Sequence, residues 1–96
     1  MKMLMVVYSG PSPQRISSLL DRHHAGGYTE FRNAHGSGST GRREESRAWP
    51  GASSLWVSVL PEDRSGELVE TLRGETSRLD PGERLHVAVL PTDMFF

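Results

Sequence analysis

Met3-Leu4-Met5-Val6-Val7-Tyr8 is the stretch whose reading decides the fold. It is hydrophobic throughout, β-branched at its centre, and closed by Ser9-Gly10-Pro11. A continuous apolar run bounded by turn residues predicts a central strand buried on both faces. Working outwards, Ser12 at N-cap and Pro13 at N1 predict a helix start. Ile16, Leu19, Leu20 and His23 follow at i, i+3, i+4 and i+7, which is one face of a helix. Gly26-Gly27 supplies the positive-φ stop, and Tyr28 to His35 reads as a polar second strand with poor alternation.

Leu55 to Leu60 is a third strand, dense in apolar residues and ended by Pro61. Asp63 or Ser65 is the expected cap of a second helix, with Leu68, Val69, Leu72 and Leu79 on its buried face. Gly74 weakens that helix by about 1 kcal/mol against alanine. Asp80-Pro81-Gly82 is a turn. Leu85 to Leu90 is the fourth strand, with Leu85, Val87 and Val89 on one face and His86, Ala88 and Leu90 on the other. The tail Pro91-Thr92-Asp93-Met94-Phe95-Phe96 follows.

The order is βαββαβ, the split arrangement of ferredoxin-like α+β folds, expected as one domain over residues 1–96. Right-handed crossovers put both helices on one face of a four-stranded antiparallel sheet. The other face has no cover of its own, and strands 1 and 3 make it apolar. A large bare apolar face is unfavourable in water, so the expectation is that copies of the chain pack sheet against sheet.

Composition removes several classes of function. Eleven basic and 12 acidic residues give a net charge of −1, with no overall pull towards nucleic acid or anionic membrane. An RNA-binding sheet of this topology needs a basic surround and several exposed aromatics on strands 1 and 3, where only Tyr8 and Trp56 stand. Cysteine is absent, which excludes disulfides, thiolate metal sites and a cysteine nucleophile. No run approaches the roughly 20 apolar residues that span a bilayer, and Met1 to Gly10 lacks a secretory h-region, so a cytoplasmic protein without membrane insertion is expected. His23, His24, His35 and His86 show no metal-ligand spacing, so no metal site is assigned. Ser9, Ser53 and Ser54 lack a nucleophile-elbow context, and Glu44-Glu45 and Glu62-Asp63 lie on expected surface, so no catalytic residue is assigned and no enzyme is expected.

The remaining signal is the long polar segment 36–53 between strands 2 and 3. Loops of that length in small domains usually carry function. Gly36, Gly38 and Gly41 allow backbone N–H groups to approach a phosphate, and Arg42, Arg43 and Arg47 add charge-assisted donors. The pattern neither opens a helix nor continues into Lys-Ser/Thr, so it is neither a dinucleotide fingerprint nor a Walker A loop. Trp49-Pro50-Gly51 turns the chain back into the sheet, with Trp49 as loop anchor or partner contact. The mixed charges of Arg42-Arg43-Glu44-Glu45 suit either a solvated tip or docking to a partner protein.

The βαββαβ order, the length, Gly27-Tyr28-Thr29 opening strand 2, the glycine pattern 36–41 and Trp49-Pro50-Gly51-x-Ser53-Ser54 resemble the small PII-like signalling proteins. That resemblance implies a homotrimer with clefts between subunits that take small effectors, often adenine nucleotides, and a mobile T-loop that engages a partner protein. Carried over, segment 36–53 corresponds to the T-loop, and Thr29, Gly36, Gly38 and Gly41 fall where its base meets nucleotide. The family's second glycine-rich loop corresponds to Asp80-Pro81-Gly82-Glu83-Arg84, where Gly82 and Arg84 stand in for its glycine and its phosphate-reaching base. The leading expectation is a non-enzymatic regulator. The alternatives are a CutA-like divalent-metal-binding trimer using His35 or His86, and a dimeric α/β-barrel enzyme using Tyr28 and His86.

Overall fold

The chain runs β1 (Lys2–Ser9), α1 (Gln14–Arg22), β2 (Thr29–Ala34), β3 (Gly36–Gly38), β4 (Gly41–Arg43), β5 (Ser53–Leu60), α2 (Glu62–Thr76) and β6 (Arg84–Pro91). The computed structural model describes residues 1–23, 27–38, 41–43 and 53–96. Four strands form one sheet in the order β2-β5-β1-β6, every pair antiparallel. This is the expected α+β ferredoxin-like arrangement, with β1 central.

Alternation along β1 and β5 divides the sheet. Leu4, Val6 and Tyr8 of β1 and Trp56 and Leu60 of β5 are fully buried against Ile16, Leu19 and Leu20 of α1 and Leu68 and Leu72 of α2. A fully buried leucine of this kind contributes roughly 2 kcal/mol. Met3, Met5, Val7, Leu55, Val57 and Val59 point to the opposite face and are only half-buried. The expectation that strand 1 is buried on both faces therefore holds on the helix side alone in the single chain. The register sets the open face out in rows: Val59-Met3-Leu90, Thr29-Val57-Met5-Ala88 and Phe31-Leu55-Val7-His86.

Four local expectations are corrected. No side-chain hydrogen bond caps α1; the Ser12 amide instead donates to Tyr8 Oη at 3.2 Å. Neither Asp63 nor Ser65 caps α2, which begins at Glu62 after Pro61; Ser65 is buried and its hydroxyl donates back to the Glu62 carbonyl at 2.7 Å. Glu62 and Asp63 instead place acidic charge in the first turn, where the helix dipole favours it. α2 ends at Thr76, so Leu79 packs on the core from the following turn and not from the helix. Gly36 to Arg43, read as the start of a loop, contains a β-hairpin with register Gly36↔Arg43, Ser37↔Arg42 and Gly38↔Gly41. Glycine and serine carry no strand signature, so this pairing was invisible to hydrophobic periodicity.

Candidate functional site

The apolar rows of the open face end in a polar one. Ala34 pairs with Ser53, and Ser9 pairs with Arg84. Because Tyr8 faces Ser54, Ser9 lies beside Ser53. The fourth row is thus Ala34-Ser53-Ser9-Arg84, and the Ser9 and Ser53 hydroxyls hydrogen-bond to each other. β3 leaves this same end of the sheet two residues after Ala34, so the glycine-rich hairpin is rooted beside the row. Arg84 is half-exposed and has no ion pair among the described residues.

The turn before β6 delivers Arg84 to that row. Gly82 adopts φ +92°, a conformation costly for other residues. Glu83 turns inward and its side chain is only 2% exposed. It accepts hydrogen bonds from Tyr8 Oη and from the Asp80 amide at 2.7 Å, with Arg15 Nη1 3.8 Å away. The Tyr8 hydrogen bond, then the Asp80 amide, hold its carboxyl below the usual range. Burial, and next the bond to Glu83, push Tyr8 up to about 12. Gly10 makes room for this contact, since a Cβ there would lie 2.3 Å from Tyr8 Oη.

Thr29 stands on the opposite edge strand, exposed, beside a groove of about 320 Å³ lined by Gly27, Tyr28, Val57, Ser58, Val59 and Phe95. Three strand spacings separate β2 from β6, about 14 Å. Among the described residues, then, Thr29 and β3 belong to the β2 edge of the sheet, and Gly82 and Arg84 to the β6 edge. Arg47, Trp49, Pro50 and Gly51 lie outside the described residues. Arg42 and Arg43 belong to β4, opposite Ser37 and Gly36. His35 follows β2 and His86 lies on β6, so the metal alternative's two histidines occupy opposite edges. Among the described residues no group of three His, Asp or Glu side chains converges to hold a metal, and no helix is long and apolar enough to cross a membrane.

Sequence reading missed Tyr8, Ser9, Arg15, Ser53 and Glu83 as parts of this site. The serines carried a faint signal, since each flanks an apolar strand at the end nearest the loop. The Tyr8–Glu83 contact joins residues 75 positions apart and has no local signature.

No protein-family model and no curated protein sequence matches the chain. Solved structures do resemble it. CPII from Thiomonas intermedia K12, solved bound to ADP and bicarbonate, superposes with a TM-score of 0.66 at 26% identity over 93% of this chain and 86% of that one. The same nitrogen regulatory PII-like protein bound to ADP, AMP and bicarbonate gives 0.64 at 27% identity over 93% and 86%. A PII-like signalling candidate from Thermus thermophilus shares the fold, with a TM-score of 0.64 at 22% identity over 93% and 84%.

Proposed function

We propose, from the premise that this chain is a PII-like protein, that it is a non-enzymatic regulator whose effector binds between copies of the chain. The effector class is an adenine nucleotide, with a small anion such as bicarbonate as companion, as in CPII. Three copies shield one another's open faces, and each cleft joins the β2 edge and hairpin of one copy to the β6 edge of the next. In this reading Thr29, Gly36, Gly38, Gly41, Arg42, Arg43 and Arg47 approach from one side, and Gly82 and Arg84 from the other. Segment 36–53, anchored at Trp49-Pro50-Gly51, changes state with the effector and engages a partner protein.

The observation that carries the proposal is the split of the expected contacts between opposite sheet edges, combined with three rows whose central members on β1 and β5 are half-buried and apolar and which end in a polar row. Among the described residues of one copy, these groups stand on opposite edges of the sheet. In the proposed assembly the two edges of neighbouring copies meet in one cleft, and covering the apolar rows supplies the drive to bring the copies together.

Calorimetry of the full chain against ADP, AMP, ATP and bicarbonate, run beside sedimentation equilibrium, is the test. A trimer mass and saturable uptake of ADP are expected, with ADP raising Tm by mass action. Arg84→Ala should weaken ADP by about tenfold or more, the scale of a charge-assisted hydrogen bond. A monomer that takes up none of the four at millimolar concentration overturns the reading.

A further inference from the structure

We infer that Glu83 is a positioning residue of the effector site: drawn under the 80–84 turn by Tyr8, Arg15 and the Asp80 amide, it withdraws its own charge from the anion-facing side and fixes the backbone that presents Gly82 and Arg84. This rests on the reading that Arg84 faces the anionic part of the effector.

Glu83 precedes Arg84 in a turn with positive φ at Gly82. A carboxylate facing outward there would compete for the guanidinium and repel a phosphate. Strand alternation sends the two side chains to opposite faces, Arg84 to the polar row and Glu83 to the helix side. The contacts that hold Glu83 there come from separate parts of the fold. Tyr8 is the last residue but one of β1, and its hydroxyl also accepts the Ser12 amide at 3.2 Å. Arg15, in α1, lies 3.4 Å from Glu75 Oε2 of α2, and Arg78 lies 3.3 Å from the other Glu75 oxygen. The turn is thereby tied to a strand and both helices.

The chemistry requires two acceptor oxygens. Oε1 takes the Asp80 N–H, while Oε2 takes the Tyr8 O–H and faces Arg15. Glutamine has one acceptor and presents an NH2 group where a second is needed. Aspartate keeps both oxygens but is one methylene shorter. Support of this kind from behind a site usually decides whether its contact groups are held in register.

The experiment compares native chain, Glu83→Gln and Tyr8→Phe at 25 °C, under conditions where circular dichroism shows each folded. ADP affinity is read by calorimetry and amide exchange residue by residue. In Glu83→Gln, ADP is expected to weaken about tenfold, and the Asp80 amide to exchange about tenfold faster, with the β5 amides unchanged. Tyr8→Phe is expected to move both readouts in the same direction, and it stands in should the glutamine variant not fold. Unchanged Asp80 exchange in the variants, or unchanged ADP affinity where the native chain binds ADP, overturns the inference. If the native chain takes up no ADP, the effector reading falls by itself, and the role of Glu83 as the brace of the turn stands or falls on the exchange result.

Discussion

The indole Nε1 of Trp56 lies 3.1 Å from Glu30 Oε1 and 3.1 Å from Ser17 Oγ, so the largest side chain of the core satisfies its one polar group on the edge strand and α1. This explains how β2, exposed along much of its length, is held to the sheet. Its backbone pairs with β5, and its carboxylate reaches under the sheet to Trp56 and to the Ser17 hydroxyl at 2.9 Å. Arg32, then Ser17 and Trp56 as further donors, hold that carboxyl below the usual range against its partial burial.

Glu30→Ala leaves Trp56 N–H with Ser17 alone and removes the acceptor of the Ser17 hydroxyl. The expected loss is about 1–2 kcal/mol, a fall in Tm of the order of 5–10 °C for a domain of this size. Chemical and thermal denaturation of the full chain check it. Because the folded carboxyl titrates low, its contribution is present above the ordinary carboxylate pKa and fades as pH falls through the folded value. The variant should therefore lose less stability than the native chain on acidification. An equal acid response in both would remove Glu30 from this role.

Gly10→Ala tests a close approach. A Cβ there would meet Tyr8 Oη at 2.3 Å and Cζ at 2.6 Å, with Glu83 Oε2 at 3.1 Å. Tyr8 is fully buried and bonded at its tip, so its ring cannot swing aside cheaply. An overpacking cost of about 1–3 kcal/mol is expected. Tyr8→Phe in the same chain should recover only part of it, because Cζ stays in place. Urea midpoints of the two single variants and the double variant measure this, and a neutral Gly10→Ala would show that the turn yields.

The titration of Tyr8 gives a prediction at alkaline pH. Its folded value is about 12 against an ordinary 10.0, so the protonated form is favoured on folding. The sign follows: stability is full below pH 10 and declines as pH rises from 10 towards 12, by up to about 1.4 kcal/mol per pH unit. Tyr28 is also pushed up, by burial first and then by Asp21, and adds in the same direction. Tyr8→Phe should flatten the alkaline limb without abolishing it. Denaturation midpoints between pH 9 and pH 11.5 settle the comparison, and parallel limbs in the two proteins would contradict it.

The fold was legible because its strands and helices announce themselves over short distances. Met3 to Tyr8 and Leu55 to Leu60 are unbroken apolar runs, and Leu68 and Leu72 mark one stripe of α2. Even the bare sheet face was implied, since a strand without polar alternation has nothing to offer water. What escaped was set by contacts distant in sequence. Ser12 looks like a helix cap, but the hydroxyl of Tyr8 takes its amide. Gly10 looks like a strand terminator, yet it is also the space that lets Tyr8 reach Glu83. Of the candidate site, Arg84 fell in the polar row with Gly82 two residues before it, whereas the carboxylate between them carried no signal of its own. Periodicity counts apolar residues and is blind to a charge that folds inward.

Val57→Asp separates the sheet as a surface from the sheet as an interface. Val57 lies mid-row on the open face, paired to Met5 and Thr29, and is half-buried in the single chain. An added carboxylate there faces water in a lone copy and should cost that copy little, within about 1 kcal/mol. Between stacked sheets the same group would be an unpaired buried charge, costing several kcal/mol for each copy. The expected outcome is a drop in sedimentation mass from trimer to monomer with circular dichroism retained. ADP affinity should fall with it, because the proposed site needs the Thr29 edge of one copy to meet the Arg84 edge of the next. A variant that keeps the native mass and ADP affinity would show that the apolar rows are not where the copies join.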